Sequence, residues 1–354
     1  MGGAQSTLKA VEWMWKSNPD PFSNEEAIWS HYSDVENLII EGAYLAKKPR
    51  ADLDEYYIDF ESGFQISNKD SYKKRHVKRV LRKREDKHLR EARFVDLPVT
   101  SGRSFGGQYG WISPFIVEVR RDLGLKIREL PSKNEHLVPM LVEKASRGIT
   151  IEGTHLKKEK EAAKLADTLL EKKDKGMKEV WKCCAYLYSL DSFLYKTINA
   201  AMRLVGSKDD EQVWRSKIRT LGPFCLLLWD DPFNIKVKTN IELYRGANLS
   251  PEQIKTYEEM AKEEGKYGSF QSFSSSSRNR SKAEEFGNTL FIMKVLHAFI
   301  ADLSELSEYP NEEEELITPG VCFSVKRVEF DRMKNKHFIY LELRQRFNSK
   351  YFFR

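Results

Sequence analysis

The sequence predicts an α+β protein with two folded units, and three observations support this. The chain has 354 residues, more than a single typical domain. Residues 10–84 combine closely spaced tryptophans and tyrosines with short alternating segments. From residue 134, apolar residues first recur at helical spacing and then, after Trp229, fall into short strand-like segments. Helices followed by strands are typical of an α+β domain with a largely antiparallel sheet.

The first unit is predicted to be small, aromatic and mixed. Residues 38–44 have the pattern of a short helix, and its start is expected within residues 24–37. Residues 56–60 alternate as a strand, and residues 64–66 form another. We expect residues 1–9 to be a flexible tail.

A linker is predicted over residues 85–133, between the two units. It contains the glycine-rich run 101–107, which lacks the Lys and Ser/Thr of a phosphate-binding loop. The second unit then covers residues 134–354.

The second unit is expected to begin with helices and to continue with strands. Apolar stripes predict helices near residues 137–145 and 164–170, and one long helix over residues 181–204. Short strands are predicted at residues 241–245, 269–273, 289–293, 315–317 and 322–325.

Charge is unevenly distributed along the chain. The formal net charge is +6, but residues 73–93 hold eleven Lys/Arg against three acidic residues. Such a run usually marks a solvated helix face or a linker, and it can also meet an anionic partner. It has few interleaved aromatic residues to stack bases, so nucleic acid is a disfavoured partner.

The four cysteines show no spacing typical of a metal site or a disulfide framework, so we expect no metal. Cys183 and Cys184 fall in an apolar helical pattern and are interpreted as core thiols, which favours a reducing, cytoplasmic compartment. No apolar run approaches the roughly 20 residues that span a bilayer.

The N-terminus carries a lipidation pattern. Met1-Gly2-x-x-x-Ser6 fits N-myristoylation of Gly2 after removal of Met1, and a plain flexible tail is the alternative. A single myristoyl chain gives only weak membrane association, to which the basic run could add.

An arginine, a serine cluster and a glutamate run follow one another in the C-terminal half. Arg245 could hold a pyrophosphate, and Gly246 would let backbone approach a ligand. The hydroxyls of residues 274–277 could bind ribose oxygens. In an extended segment Glu312 and Glu314 point to the same face, and two converging carboxylates suit cleavage of a glycosidic bond. We therefore take NAD as the test substrate.

These residues resemble a known family in their order and spacing. Leu243-Tyr244-Arg245-Gly246, the segment 270–277, Ala283-Glu284-Glu285-Phe286 and the segment 312–320 are similar to the arginine-specific, cholera-toxin-like mono-ADP-ribosyltransferases. That family's signature is Arg, then Ser-x-Ser, then Glu-x-Glu. Residues 186–199 look like its helical subdomain. The resemblance implies a helical subdomain and two packed, mostly antiparallel sheets around an NAD cleft.

The resemblance also implies a role for each residue. Arg245 would hold the NAD phosphates and Gly246 would contact the nicotinamide amide. Ser275 would support the catalytic glutamate and the nicotinamide ribose. Glu314 would be the catalytic glutamate and Glu312 would activate the acceptor guanidinium. Tyr309 lies where the family's substrate-recognition turn falls.

Two departures from the family pattern concern this site. The cluster is Ser-Ser-Ser where the family often has Ser-Thr-Ser. Glu315 stands where an apolar residue is usual, so a slip to Glu313 and Glu315 is the alternative register. The following Leu316-Ile317-x-Pro319-Gly320 favours Glu312 and Glu314.

The first unit resembles a WWE domain, a half-barrel sheet on one helix. The resemblance rests on Trp13/Trp15, Trp29-x-x-Tyr32, Glu41-x-Ala43-Tyr44, Tyr57-Ile58-Asp59-Phe60 and Gln65. Members of that family bind ADP-ribose units of poly(ADP-ribose). The implied binding positions are Tyr32, Tyr56, Gln65 and Arg75. Aromatic rings would stack on adenine, the glutamine would read its edge, and the arginine would meet phosphate. The alternative is a module with core aromatics that only contacts proteins.

The sequence thus predicts an enzyme that transfers ADP-ribose from NAD to arginine side chains of acceptor proteins. The WWE module would bring it to ADP-ribosylated proteins or poly(ADP-ribose). Two rival functions remain: an NAD glycohydrolase that uses the same residues, and a poly(ADP-ribose)-binding adaptor with an inactive transferase fold.

Overall fold

The computed structural model describes residues 11–81, 113–126, 129–205, 209–233 and 239–345. It confirms the α+β class: an antiparallel sheet comes first, then helices, then a second sheet. Gly2, the predicted tail 1–9 and the glycine-rich run 101–107 lie outside the described residues. Within the described residues, no helix combines the length and the apolar character needed to cross a bilayer.

The first unit is a six-stranded antiparallel sheet with one helix. The helix, α1, covers Asp34–Leu45, as predicted, and begins at a capping box made by Ser33 and Glu36. The strands follow in the order β2-β1-β6-β5-β4-β3 across the sheet. They are β1 (Val11–Lys16), β2 (Trp29–His31), β3 (Arg50–Asp52), β4 (Tyr56–Asp59), β5 (Phe64–Ser67) and β6 (Lys74–Leu81).

Helix α1 is tied to this sheet by a buried carboxylate. Glu41 Oε2 accepts from Trp13 Nε1 at 2.8 Å and from Arg79 Nε at 2.9 Å. Arg79 Nη2 donates to the other carboxylate oxygen at 2.7 Å. Ile40, on the neighbouring position, is fully buried in the unit's core. The helix therefore contributes both apolar contacts and a bidentate ion pair to the sheet.

The interpretation of the basic run as a solvated helix face or a linker is wrong for the part that the structure describes. Its described part, residues 73–81, is mostly strand β6 and not a helix face or a linker. Its cations lie over aromatic rings: Lys78 Nζ is 4.1 Å from the Trp29 ring and Lys74 Nζ is 4.9 Å from the Phe64 ring. Residues 82–93 of the run lie outside the described residues.

Seven further helices of the described residues build one apolar core. They are α2 (Pro114–Asp122), α3 (Val138–His155), α4 (Glu159–Leu170), α5 (Met177–Ser189), α6 (Phe193–Arg203), α7 (Glu211–Thr220) and α8 (Gly222–Trp229). The predicted core thiols Cys183 and Cys184 are buried in α5, and burial raises the pKa of Cys183 to about 12.

Two sequence predictions about these helices are wrong in detail. Helix α2 lies inside the predicted linker, yet Phe115 and Val119 are fully buried in the helical core. The long helix over residues 181–204 is two helices, α5 and α6. The break comes at residues 190–192, where the Ser192 side chain caps α6 by accepting from Leu194 N.

The second sheet has eight strands, in the order β11-β12-β9-β7-β10-β14-β13-β8. They are β7 (Ile241–Ala247), β8 (Gly268–Ser269), β9 (Ser274–Ser277), β10 (Thr289–His297), β11 (Ile300–Asp302), β12 (Glu314–Ile317), β13 (Cys322–Asp331) and β14 (Lys336–Arg344). Helices α9 (Pro251–Lys262) and α10 (Arg280–Glu284) lie between strands.

This sheet differs from the expected pair of sheets. All eight strands belong to one sheet. The three strands β11, β12 and β9 join the other five through a single pairing, between Tyr244 of β7 and Ser277 of β9. The ladder is antiparallel except between β10 and β14, which run parallel. The predicted largely antiparallel character is therefore confirmed. Instead of two separate sheets, there is one sheet whose two groups of strands are joined by the short β7–β9 pairing.

Candidate active site

Arg245 lies in the middle of strand β7 and is almost wholly buried. Its side chain is 2% exposed, and its Nη1 donates a hydrogen bond to the carbonyl oxygen of Ser275. Its charge also reaches Tyr257: burial raises the pKa of that phenol and the arginine lowers it. The first two members of the predicted signature are thus in direct contact.

The serine cluster is itself a strand, β9, and not a loop at the end of a strand. All four serines are buried, and β9 pairs with β12 so that Ser277 lies opposite Glu314 and Ser275 opposite Leu316. Alternate residues of a strand share a face, so Ser275 and Ser277 point to the side of β9 that carries Glu314 across the ladder. Phe273, two residues earlier, packs into the helical core. This face therefore looks toward the helical subdomain.

The serines also hold the backbone of the glutamate run. Ser277 Oγ donates to the carbonyl of Glu312 at 2.6 Å, and Ser276 Oγ donates to the carbonyl of Glu315 at 2.9 Å. A serine hydroxyl can rotate to donate in many directions. It can therefore bind a backbone carbonyl of a segment that is no longer paired in the sheet. The serine cluster fixes both ends of the run.

The reason given for pairing Glu312 with Glu314 is wrong. The segment is not extended there: Glu312 ends a 3₁₀ turn over Pro310–Glu312, and Glu313 takes a left-handed conformation with φ 43°. Strand β12 begins only at Glu314. Glu312 and Glu314 are nevertheless both buried, at 2% and 0% exposure, and so is Glu315 at 1%. Burial therefore does not distinguish the two registers.

Arg278 holds the other two glutamates of the run. Its Nη1 lies 3.2 Å from Glu315 Oε1 and 2.9 Å from Asp302 Oδ2. Its Nε lies 3.8 Å from Glu313 Oε2, and its backbone N donates to the Glu313 carbonyl at 3.2 Å. One guanidinium therefore forms ion pairs with both Glu313 and Glu315. This supports the register in which Glu312 and Glu314 are the two carboxylates of the site.

Gly246 is explained by packing. A Cβ on this glycine would come within 2.7 Å of the Phe286 carbonyl oxygen and 2.8 Å of the Ala283 carbonyl oxygen. The space over the residue is filled by α10 and the segment that follows it, so close approach of protein backbone accounts for the glycine here. Its predicted contact with nicotinamide would be made by its backbone groups.

Tyr309 precedes the 3₁₀ turn and is buried, with 6% of its surface exposed. Its hydroxyl donates to Asp34 Oδ1 at 2.7 Å, and Asp34 belongs to α1 of the first unit. The predicted recognition turn of the second unit is therefore in direct contact with the first unit.

Taken together, the site brings a buried guanidinium, a serine strand and two buried glutamates around β9. A guanidinium suits phosphate oxygens, and a fixed carboxylate in a water-poor place stabilises positive charge that develops on a sugar. Groups of three or more metal-binding side chains do not occur among the described residues.

Comparison with known families agrees with this geometry. Residues 155–349 match the family model of NAD:arginine ADP-ribosyltransferase, which is more than half of the chain. The chain belongs to that family. Residues 11–79 match the model of the WWE domain. The protein is thus an ADP-ribosyltransferase with an N-terminal WWE domain, and the two domains support NAD-dependent ADP-ribosylation.

Several solved structures are similar to part of this ADP-ribosyltransferase. HopU1 of Pseudomonas syringae is 18% identical over 51% of this chain and 87% of its own, with a TM-score of 0.40. XopAI of Xanthomonas axonopodis is 15% identical over 65% and 94%, with a TM-score of 0.43. Exoenzyme S of Pseudomonas aeruginosa, solved with human 14-3-3 beta and carba-NAD, is 19% identical over 57% and 88%, with a TM-score of 0.37. Among curated protein sequences, none matches this chain.

The WWE domain has a cavity of about 630 Å³ that contains three of its four predicted binding residues. Tyr56, Gln65 and Arg75 line it, and Gln65 lies opposite Arg75 in the β5–β6 ladder. Four cationic side chains face one carboxylate around this cavity: Lys69, Lys73, Lys74 and Arg75 against Glu55. The balance suits an anionic ligand.

Tyr32 is the fourth predicted binding residue, and it does not line the cavity. Its hydroxyl donates to Gln65 Oε1 at 2.6 Å, and burial raises the pKa of the phenol. Tyr32 thus orients the glutamine amide from behind. Arg75 also has a structural task, because its Nη1 donates to the carbonyls of Lys16 and Asn18 at 3.0 and 2.7 Å.

Two residues that contact segments of the candidate site were not predicted, Arg278 and Asp34. Arg278 directly follows the serine cluster, so its position was a usable signal. Asp34 had no such signal, because its partner Tyr309 lies 275 positions away in the chain.

Proposed function

We propose that this ADP-ribosyltransferase modifies arginine side chains of proteins. NAD would bind with its phosphates near Arg245 and its nicotinamide ribose near Ser275 and Glu314. The buried contact between the Arg245 guanidinium and the serine strand, which also holds the glutamate run, supports this arrangement most directly. It links the phosphate-binding group and the carboxylates through one short strand.

The chemistry follows from the charges. As the bond between ribose C1′ and the nicotinamide nitrogen breaks, its electron pair leaves with nicotinamide and positive charge builds on the ribose. The Glu314 carboxylate would stabilise that charge. A guanidino nitrogen of the acceptor then forms the new bond to C1′, and Glu312 would take the proton it releases. The products are ADP-ribosyl-arginine, nicotinamide and one proton.

The choice of arginine can be tested with a matched pair of peptides. One peptide carries a single arginine and the other carries lysine at the same position. After incubation with NAD, we expect intact-mass analysis to find one added ADP-ribose on the arginine peptide alone. Equal modification of both peptides, or of neither while nicotinamide is released, would contradict arginine transfer, and the second outcome would favour NAD hydrolysis.

A change at Glu312 should distinguish cleavage of NAD from transfer of ADP-ribose to arginine. In Glu312→Gln the carboxylate that accepts the guanidinium proton is lost, but Glu314 remains. We therefore expect transfer to the arginine peptide to fall by at least about 100-fold, with a much smaller change in the slow release of nicotinamide to water. A parallel loss of both rates would show that Glu312 acts on NAD and not on the acceptor.

We also propose that the WWE cavity binds ADP-ribose units. Its cationic lining, its size and the oriented Gln65 amide support a phosphate-containing ligand with a base to be read. Titration calorimetry with ADP-ribose and with poly(ADP-ribose) tests this. Gln65→Ala should weaken binding by about tenfold through the lost hydrogen bonds. Tyr32→Phe should weaken it less, because Gln65 keeps its place and loses only its orienting partner. Binding that neither change affects would place the ligand elsewhere.

A further inference from the structure

A carboxylate of the WWE domain reaches the turn in front of Glu312. Asp34 Oδ1 accepts a hydrogen bond from the Tyr309 hydroxyl at 2.7 Å. Both residues are buried, at 9% and 6% exposure. A hydrogen bond between a charged acceptor and a buried hydroxyl is stronger than an ordinary surface contact. The turn of the transferase domain is thus held by a group from another domain.

The second oxygen of the same carboxylate is also engaged. Asp34 Oδ2 accepts from the backbone N of Asp191 at 2.7 Å. Asp191 lies at the break between α5 and α6, in the helical subdomain. Because both oxygens have partners, the orientation of the carboxylate is fixed relative to the transferase domain and not only to α1.

The turn lies close to helix α5 on another side. Burial and then the nearby carboxylate of Glu308, next to Tyr309, raise the pKa of Tyr186 of α5. The backbone then tightens: Glu312 N donates to the Tyr309 carbonyl at 3.1 Å. Only two residues therefore lie between Tyr309, which carries the anchored phenol, and Glu312, whose carboxylate is assigned to the acceptor. A shift of about 1 Å in such a group can cost a reaction roughly 100-fold.

The WWE domain docks at a second point that does not touch the turn. Asp54 Oδ1 accepts from the backbone N of Lys160 at 2.7 Å, and Oδ2 accepts from Glu161 N at 3.4 Å, so it caps the start of α4. Asp34 and Asp54 are thus two aspartates of one domain, each bonded to backbone amides of the transferase domain. Only Asp34 is bonded to the turn.

We infer that Asp34 is a positioning residue for acceptor modification, so that the WWE domain completes the acceptor side of the transferase site. The inference rests on the proposed function, in which Tyr309 and Glu312 face the acceptor. It assigns Asp34 no contact with NAD. Loss of its hydrogen bond should therefore change how the arginine acceptor is used and not how NAD is cleaved.

The test compares Asp34→Asn with Asp54→Asn in the full chain. Asparagine keeps the size of the side chain and removes the charge. With the single-arginine peptide and NAD, we expect Asp34→Asn to lower kcat/KM for the peptide about tenfold. Its rate of NAD hydrolysis without peptide should stay at the wild-type value. Asp54→Asn, which weakens the same interface away from the turn, should leave both rates within about twofold.

A double-mutant cycle adds a readout that general destabilisation would not give. If Asp34 acts through the phenol, the effects of Asp34→Asn and Tyr309→Phe on transfer to the peptide are not additive, and the double variant is no worse than Tyr309→Phe alone. Hydrogen exchange should also rise at residues 307–313 in Asp34→Asn and not in Asp54→Asn.

Four outcomes would overturn the inference. Equal losses in Asp34→Asn and Asp54→Asn would reduce the effect to domain docking. Additive effects in the double variant would separate Asp34 from Tyr309. Unchanged peptide kinetics in Asp34→Asn, with an active wild-type chain, would remove the role of Asp34 and leave the proposed function intact. A wild-type chain that neither modifies the peptide nor cleaves NAD would overturn the proposed function and this inference with it.

Discussion

Arg278 shows how a single side chain can determine which glutamates face a site. A run of four acids repels itself, and one cation between two of them lowers that cost. Arg278 contacts Glu313 and Glu315 and also Asp302 of β11. The Glu315 side chain is only 1% exposed, so its ion pair with Arg278 is largely shielded from solvent. Loss of Arg278 would remove the cation that lies between Glu313 and Glu315.

Removal of Arg278 should therefore disturb the reaction although the residue need not touch NAD. Arg278→Ala is expected to lower nicotinamide release by about 100-fold through misplacement of the neighbouring carboxylates. Arg278→Lys keeps the charge and should recover part of the rate. Arg280→Ala is the control, because Arg280 is two residues away and its ion pair with Glu284 does not involve the glutamate run. Equal rates for Arg278→Ala and Arg280→Ala would show that Arg278 is not needed to position the glutamates.

At the level of single residues, the site assignment by residue type and order stays a prediction. Arg245, Ser275, Glu312 and Glu314 are all buried around β9, as Glu315 is. The prediction could not foresee that Glu313 adopts a left-handed conformation, because that follows from how the turn meets β12 and β9. It also could not foresee Asp34 as a partner of Tyr309, since contacts between distant segments leave no periodic pattern in the sequence.

Among the elements, strand β9 and helix α1 contribute most to the site. A strand of four serines has little apolar surface of its own to bury, and it is kept in place by its ladders to β12 and β7. For that reason a serine run, which usually indicates a loop, becomes a strand here. The split between α5 and α6 has a local cause, because the Ser192 side chain caps the N-terminus of a new helix, α6.

Helix α1 depends on its buried ion pair, and this gives a pH prediction. Burial raises the pKa of Glu41, but hydrogen bonds from Arg79 and Trp13 outweigh it, so the net pKa lies below the ordinary value of 4.5. A depressed carboxylate pKa stabilises the fold above the unfolded-state value, and that contribution is lost as pH falls through the folded-state value.

The pair can be tested by urea unfolding of the full chain at pH 7 and pH 4. Arg79→Ala leaves Glu41 buried without its cation and should lower the free energy of unfolding at pH 7 by about 3 kcal/mol. Glu41→Gln has no carboxylate to protonate, so its stability should fall less than that of the wild type between pH 7 and pH 4. An equal fall in both proteins would assign the acid sensitivity to other groups.

For the whole molecule, the two domains share a core. Val35 of α1 is fully buried within the cluster formed by the helices of the transferase domain. Leu38 and Ile39 pack against the same cluster. Because burial of apolar surface is the main favourable term in folding, this contact should make the domains unfold together. The sequence pattern did not predict this contact between the domains, because a linker was expected between two folded units.

We expect a single thermal unfolding transition for the wild-type chain. Val35→Asp places a charge in the shared core and should cost about 4 kcal/mol at this contact, so that two transitions appear. Ile28→Asp is the control, since Ile28 is 59% exposed on the same domain and should leave one transition. Two transitions already in the wild type would mean that the shared core does not couple the domains.

In the proposed reaction Glu314, and not a neighbour in the run, stabilises the ribose while NAD is cleaved. Nicotinamide release from NAD, measured for Glu314→Gln and Glu313→Gln, tests it most directly. The Glu313 side chain is 44% exposed and its ion pair with Arg278 is long, so its loss should change the rate by no more than about threefold. Glu314→Gln should lower the rate by at least about 100-fold while NAD still binds. Full activity in Glu314→Gln, or an equal loss in Glu313→Gln, would contradict the account.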